Sequence, residues 1–196
     1  MIKRLALALI GAVCLQASAA LAVTVTIGNP AGAVPGTLPT ASKTVGTVLE
    51  NISGSTPGLA LSPWTGSATP NAQYTAVLKN SRADYNYATD QKSFSVLWGS
   101  VDSYNKLFFV HNGSIVQKLT GIDLKNSYGV TYKTDALVTV TGLIFDRIVF
   151  ASTGYSFEFA ALDTQPVPLP AGLGLMLAAL GGTGLLTLRR RRSNSG

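Results

Sequence analysis

The sequence predicts an all-β fold, a single antiparallel β-sandwich of jelly-roll-like type, on three observations. Apolar and polar residues alternate with a period of two along several runs, the pattern of half-buried strands. Gly, Asn, Asp and Ser punctuate those runs at the short intervals of all-β domains. Apolar spacing at i, i+3, i+4 and i+7 does not persist for three turns anywhere from Val23 to Pro166. The ends read differently. Residues 1–22 form a signal peptide, 23–166 the sandwich, and 167–196 a C-terminal segment with a hydrophobic helix over 171–188.

Strands are expected along the domain in order. "VTVTIG", "KTVGTVLENI" and "AQYTAVLKN" open it. "SFSVLWGS" and "KLFFVHNG" are apolar on both faces, as central strands are, and Trp98 is placed in the core. Asn112-Gly113 inside "HNGS" is a hairpin-turn signal, followed by the strand "SIVQKLTG". "ALVTVTG" sets Val138 and Val140 against Thr139 and Thr141. "LIFDRIVFAS" sets Ile144, Asp146, Ile148 and Phe150 against Phe145, Arg147 and Val149. "GYSFEFAALD" sets Tyr155, Phe157 and Phe159 against Ser156, Glu158 and Ala160, which turns Glu158 toward solvent. "GNPAGAVPGTLPTAS" and "SGSTPGLALSPWTGSATPN" are rich in Pro, Gly, Ser and Thr and read as long surface loops, Trp64 lying in the second.

A net charge of +6 would ordinarily point to nucleic acid, but its placement argues against that. Six of the 15 basic residues are Lys3, Arg4 and the terminal arginines, leaving nine against nine acids in the domain. The domain is neutral, so no nucleic-acid partner is expected. Lys3 and Arg4, an apolar stretch from Leu5 to Leu15 and small residues after it follow the plan of a secretory signal. Ala20 and Ala22 offer the small-x-small signal peptidase site, with "ASA" ending at Ala19 as the alternative. Sec export is implied. The only cysteine, Cys14, lies inside the signal, so the mature chain has no disulfide and no thiolate site.

Catalytic chemistry finds little support. A Ser-His-Asp triad would have to use His111, the sole histidine, and no G-x-S-x-G elbow accompanies it. Zinc needs more His or Cys ligands than the chain supplies. Glu50 and Glu158 are the only glutamates, and the sequence does not show an acid pair converging as a glycosidase requires. No enzyme and no cofactor are therefore expected. Calcium is the one metal weighed, through Asp84, Asn86 and Asp90 of "DYNYATD" and through Asp102 and Asn105 of "DSYN". The first stretch departs from the EF-hand pattern at Ala88, and turn chemistry accounts for the same residues. Loop aromatics Trp64, Tyr85, Tyr87 and Tyr104 could form a carbohydrate platform, which keeps a calcium-dependent, lectin-like module as the alternative reading.

After Pro166 the chain changes character. Val167, Pro168, Leu169, Pro170 and Ala171 precede an uncharged span to Leu188, then Arg189, Arg190, Arg191 and Arg192. Residues 171–188 reach about 27 Å as a helix, enough for a thin hydrocarbon core. The arginines would stay cytoplasmic as a topological stop, leaving the domain on the periplasmic side of the inner membrane. The two prolines hold Val167 to Pro170 extended and out of the helix.

This three-part order resembles the VPLPA-type C-terminal sorting signal, a variant of the PEP-CTERM tails of exported Gram-negative proteins. The resemblance implies recognition by an exosortase, a multi-spanning membrane cysteine peptidase. The enzyme would cut near the motif and pass the protein to the cell surface or medium, commonly in bacteria that make exopolysaccharide. "SFSVLWGSVDSYNKLFF" is similar to an "LWGSPDSYN" stretch in domains bearing such tails, with Val101 in place of the proline. "FDRIVFASTGYSFEFAALD" resembles their last two strands, with Ala160-Ala161-Leu162 where Asp-Asn often comes. Those relatives lend fold and location; they carry no well-defined chemistry.

Overall fold

A computed structural model describes residues 22–36 and 38–168. The signal segment through residue 21, the hydrophobic helix expected over 171–188 and the terminal arginines lie outside the described residues. The described chain is an antiparallel all-β fold. Its strands are β1 (Thr24–Gly28), β2 (Lys43–Val45), β3 (Val48–Ile52), β4 (Tyr74–Leu78), β5 (Ser81–Gly99), β6 (Asn105–His111), β7 (Ser114–Thr120), β8 (Ala136–Ser152) and β9 (Ser156–Pro166). One α-helix, α1 (Gly121–Tyr128), connects β7 toward β8.

Two unusually long strands organise the molecule. The first half of β5 pairs with the second half of β8, Ser81 to Asn86 against Ser152 to Arg147. The second half of β5 pairs with the first half of β8, Ser93 to Trp98 against Thr141 to Ala136. Each half then recruits different neighbours. One layer runs β3-β4-β9-β5-β8-β1, and the other runs β2-β5-β8-β6-β7. β5 and β8 bend from one layer into the other where their pairing shifts register between Asn86 and Ser93. On β8 the matching irregularity is Gly142, whose φ of +74° a side-chain-bearing residue rarely adopts.

The bend overturns one expected facing. Val138 and Val140 are buried, as the alternation predicts. Past Gly142 the phase slips, so Phe145 enters the core while Ile144 is exposed, and Ile148 and Phe150 return to the core side. "ALVTVTG" and "LIFDRIVFAS" are thus one strand with a bulge between them. The main core fills the space between layers. Phe150 of one layer stacks on Phe159 of the other, with centroids 3.7 Å apart and planes 9° apart, although β8 and β9 share only a turn. Trp98 packs on Phe157 at 4.4 Å and is fully buried, as the sequence led us to expect.

β9 is buried on both faces, and this corrects two expectations. Trp64, assigned to a surface loop, is 2% exposed. It joins Ala60, Tyr74, Ala76, Leu97 and Ala160 in a second apolar cluster on the outer side of β4-β9-β5. Its Nε1–H donates to the Gln73 carbonyl at 3.0 Å, so the one polar atom of the ring is satisfied. The loop after β3 therefore folds back as a cover, and Glu158 beneath it is buried rather than solvent-facing. Tyr85 and Tyr87 lie on β5, not in a loop, and Tyr85 is buried in the main core.

Helix α1 follows the strand "SIVQKLTG" in a stretch to which the sequence pattern assigned no element. Thr120 and Asp123 form a capping box, with Asp123 Oδ2 accepting from Thr120 N–H at 2.8 Å and Thr120 Oγ1 accepting from Asp123 N–H at 3.2 Å. Gly129 ends the helix in the left-handed conformation. At two turns it is too short for the three-turn periodicity that was sought.

Candidate functional site

A cleft of about 410 Å³ opens where the covering loop meets the start of β9. Leu59 and Leu61 of the loop, Tyr104 of the turn before β6, Lys133 and Tyr155 form its walls. Glu158 lies at its base. That volume falls in the ordinary range for a small-ligand site, roughly 300–1,000 Å³. Tyr155 is 77% exposed at the rim because it precedes the strand instead of standing in it beside Phe157.

Fixed hydrogen bonds hold the polar groups. Glu158 Oε1 accepts from the Leu61 N–H at 3.0 Å and from the Ser156 hydroxyl. Burial raises the Glu158 carboxyl above its usual range, and the bonds from Ser156 and Leu61 offset part of that rise. The Tyr104 hydroxyl donates to Asp102 Oδ2 at 2.7 Å. Burial, then that bond to Asp102, pushes the phenol well above its ordinary value. The cleft thus offers an exposed aromatic face, two carboxyl groups and one ammonium. Such a set suits hydrogen bonding to a polyhydroxylated ring stacked on Tyr155.

A second cluster lies at the other end of the molecule. Among the described residues, Asp90, His111 and Asp146 bring one ligand atom each within 4.8 Å of one another. His111 Nε2 is 3.4 Å from Asp90 Oδ2, and Asp146 Oδ2 accepts from Asn112 N–H at 2.7 Å. The Asn112-Gly113 turn, with φ of 50° and 79°, is the predicted hairpin turn and sets His111 against Asp90. One imidazole with two carboxylates is a donor set suited to a transition-metal dication more than to calcium, which prefers oxygen throughout.

The calcium candidates are spread across the fold, except that Asn86 and Asp90 line one depression beside Asp146. Asp84 is buried and paired with Arg82, Asn86 is exposed on β5, and Asn105 is buried at the start of β6. Asp90 belongs to the His111 cluster and Asp102 to the Glu158 cleft. Of the aromatics proposed as a sugar platform, Tyr104 alone lines that cleft; Trp64 supports its covering loop from behind, and Tyr85 and Tyr87 are elsewhere.

The C-terminal motif begins as β9 ends. Pro166 is registered opposite Gln91, and the Val167 N–H donates to the Asp90 carbonyl at 2.8 Å. Val167 is half-buried and Pro168 exposed; Leu169, Pro170 and Ala171 lie outside the described residues. At the other terminus Ala22 is exposed two residues before β1, and Ala20 lies outside the described residues. Comparison with protein-family models, with curated proteins and with solved structures returns no match.

Proposed function

We propose that this chain is an exported surface or extracellular-matrix protein, without catalytic activity of its own, whose C-terminal segment is an exosortase sorting signal. The observation that carries the reading is the order Val167-Pro168-Leu169-Pro170-Ala171, uncharged span, four arginines. The exposed Pro168 directly after the last ladder pairing of β9 supports it, because a peptidase needs an extended, accessible segment. In this reading signal peptidase removes residues 1–22, the tail holds the domain at the inner membrane, and cleavage near the motif delivers it to the cell surface. The two-layer domain is read as jelly-roll-like. Intact mass and C-terminal peptide mapping of protein from the producing organism's surface test this. An end near Val167 to Ala171 is expected; a chain still carrying Arg189 to Arg192 makes the tail a plain anchor.

A carbohydrate-binding module is the second reading, favoured by the Glu158 cleft with Tyr155 at its rim. A glycan array run with and without chelator tests it. Binding lost on Tyr155→Ala supports the cleft, and binding unchanged by that substitution removes it.

A further inference from the structure

The outer face of the β2-β5-β8-β6-β7 layer gathers most of the domain's positive charge. Residues directly opposite in adjacent antiparallel strands project from the same face. Arg82 opposes Ala151, which opposes Lys106 on its other side. Lys43 opposes Asp84 and, through Val149 and Phe108, shares a row with Lys118. Arg147 opposes Val110 in the next row. The alternating residues Ala83, Tyr85, Leu107, Phe109, Ile148 and Phe150 are buried in the core, so these rows face outward.

Five of the nine Lys and Arg residues between Val23 and Pro166 therefore stand on one face, with one of the nine acids. Five minus one gives +4 on a domain whose net charge is zero. Arg82 already engages Asp84, Nη2 donating to Oδ2 at 3.1 Å and Nε lying 3.0 Å from Oδ1. Lys43, Lys106, Lys118 and Arg147 have no ion-pair partner among the described residues. Between Arg82, Lys106 and Arg147 lies a depression of about 480 Å³ floored by Phe108, Val149 and Ala151, with Lys43 and Lys118 at the two ends of the row that crosses it. Past Arg147 the face ends at the Asp90–His111–Asp146 cluster.

We propose that this face binds a linear polysaccharide bearing carboxylate groups. Cations two strands apart stand about 10 Å from each other, with apolar floor between them. Sugar rings present apolar C–H faces to such a floor, and carboxylates at intervals along the chain reach the cations beside it. Duplex DNA carries one charge per about 1.7 Å of axis and rewards a denser cationic array. The inference deepens the surface-protein reading and rests on it for the encounter, since such polymers lie outside the cell.

The test uses folded protein purified from whole cells, whatever the state of its tail. Affinity electrophoresis through gels containing alginate, a polyuronate, is compared with dextran, with single-stranded DNA and with phosphatidylglycerol vesicles as competitors. Retardation by alginate and not by dextran is expected, weakening as salt rises. Exposed charge pairs contribute a few-fold each, so Lys43→Gln with Lys106→Gln and Lys118→Gln should weaken binding about tenfold. The control triple Lys79→Gln, Lys92→Gln and Lys125→Gln removes the same charge from other surfaces and should change it less than about twofold. Equal loss in both triples, no alginate binding by a protein with native circular dichroism, or preference for DNA or vesicles each overturns the proposal. Protein that binds alginate yet keeps its tail would overturn the sorting reading alone.

Discussion

Trp64→Ala tests whether the loop after β3 is structural cover or a surface excursion. A buried tryptophan removes roughly 150–250 Å² from water, and at about 25 cal/mol per Å² that is some 4–6 kcal/mol for the whole side chain. The alanine methyl retains a small part, and the Gln73 carbonyl loses its Nε1–H donor. The expected loss is about 3–5 kcal/mol, the usual range for Trp→Ala in a core. For a domain with about 5–15 kcal/mol in total, that is a large fraction. Urea unfolding is the assay, followed by circular dichroism and by emission from Trp98, the other tryptophan, which belongs to the main core. Losing the cover also frees Leu61, whose N–H holds Glu158, so the variant should uncover a carboxyl that is buried in the wild type. A loss below about 1 kcal/mol, with Glu158 titrating as before, would refute the reasoning and return the loop to the surface.

The raised Glu158 carboxyl makes stability depend on pH with a defined sign. The folded state holds the proton more tightly than the unfolded state, so the stability present below the unfolded carboxylate range falls as pH rises through the folded value. Asp135, raised by its own burial, adds to the same trend. Glu158→Gln keeps an oxygen for Leu61 N–H and carries no charge, so its stability relative to wild type should improve as pH rises above the ordinary glutamate range of about 4.3. A difference that stays flat as pH rises from about 4 refutes the assignment. Gly121→Ala addresses the helix, because a Cβ there would come 2.0 Å from the Asp102 carbonyl oxygen. Backbone must move to admit it, and a loss of about 3 kcal/mol in urea unfolding is expected. Wild-type stability would mean that α1 does not rest on the turn carrying Asp102.

Period-two patterning was legible wherever one strand face meets the core and the other meets solvent, as for Val138 and Val140. It failed where a strand is covered twice. Ser156, Glu158 and Ala160 look like an outward row because all three are polar or small, yet Trp64 and its loop arrive from about 90 residues earlier and bury them. Nothing local announces such a cover. The β8 phase slip had a local signal in Gly142, which splits two alternating runs where one strand needed a bulge. Helix α1 also had one, the Thr120-x-x-Asp123 box with Gly129 beyond, but a two-turn helix carries too little periodicity to be seen by spacing. Tyr155 and Glu158 are close in sequence, but the cleft between them and Leu59 and Leu61 forms by the same long-range folding, and the spread of the aromatics shows that loop composition alone did not locate a platform.

The two outer faces of the fold are unequal, and the inequality bears on where a partner can sit. Beyond β4-β9-β5 the outer face is closed by Trp64 and its loop, leaving only the Glu158 cleft at one edge. Beyond β5-β8-β6 no segment of the described chain crosses the face, and Arg82, Lys106 and Arg147 stand over an apolar floor. An uncovered sheet face of neutral composition would invite pairing with another apolar surface. Lys106 and Arg147, which have no ion-pair partner among the described residues, make that association unfavourable unless the partner supplies negative charge. The covered face therefore accounts for stability and the open face for selectivity. Neutralising Lys43, Lys106 and Lys118 should leave the first unchanged while altering the second.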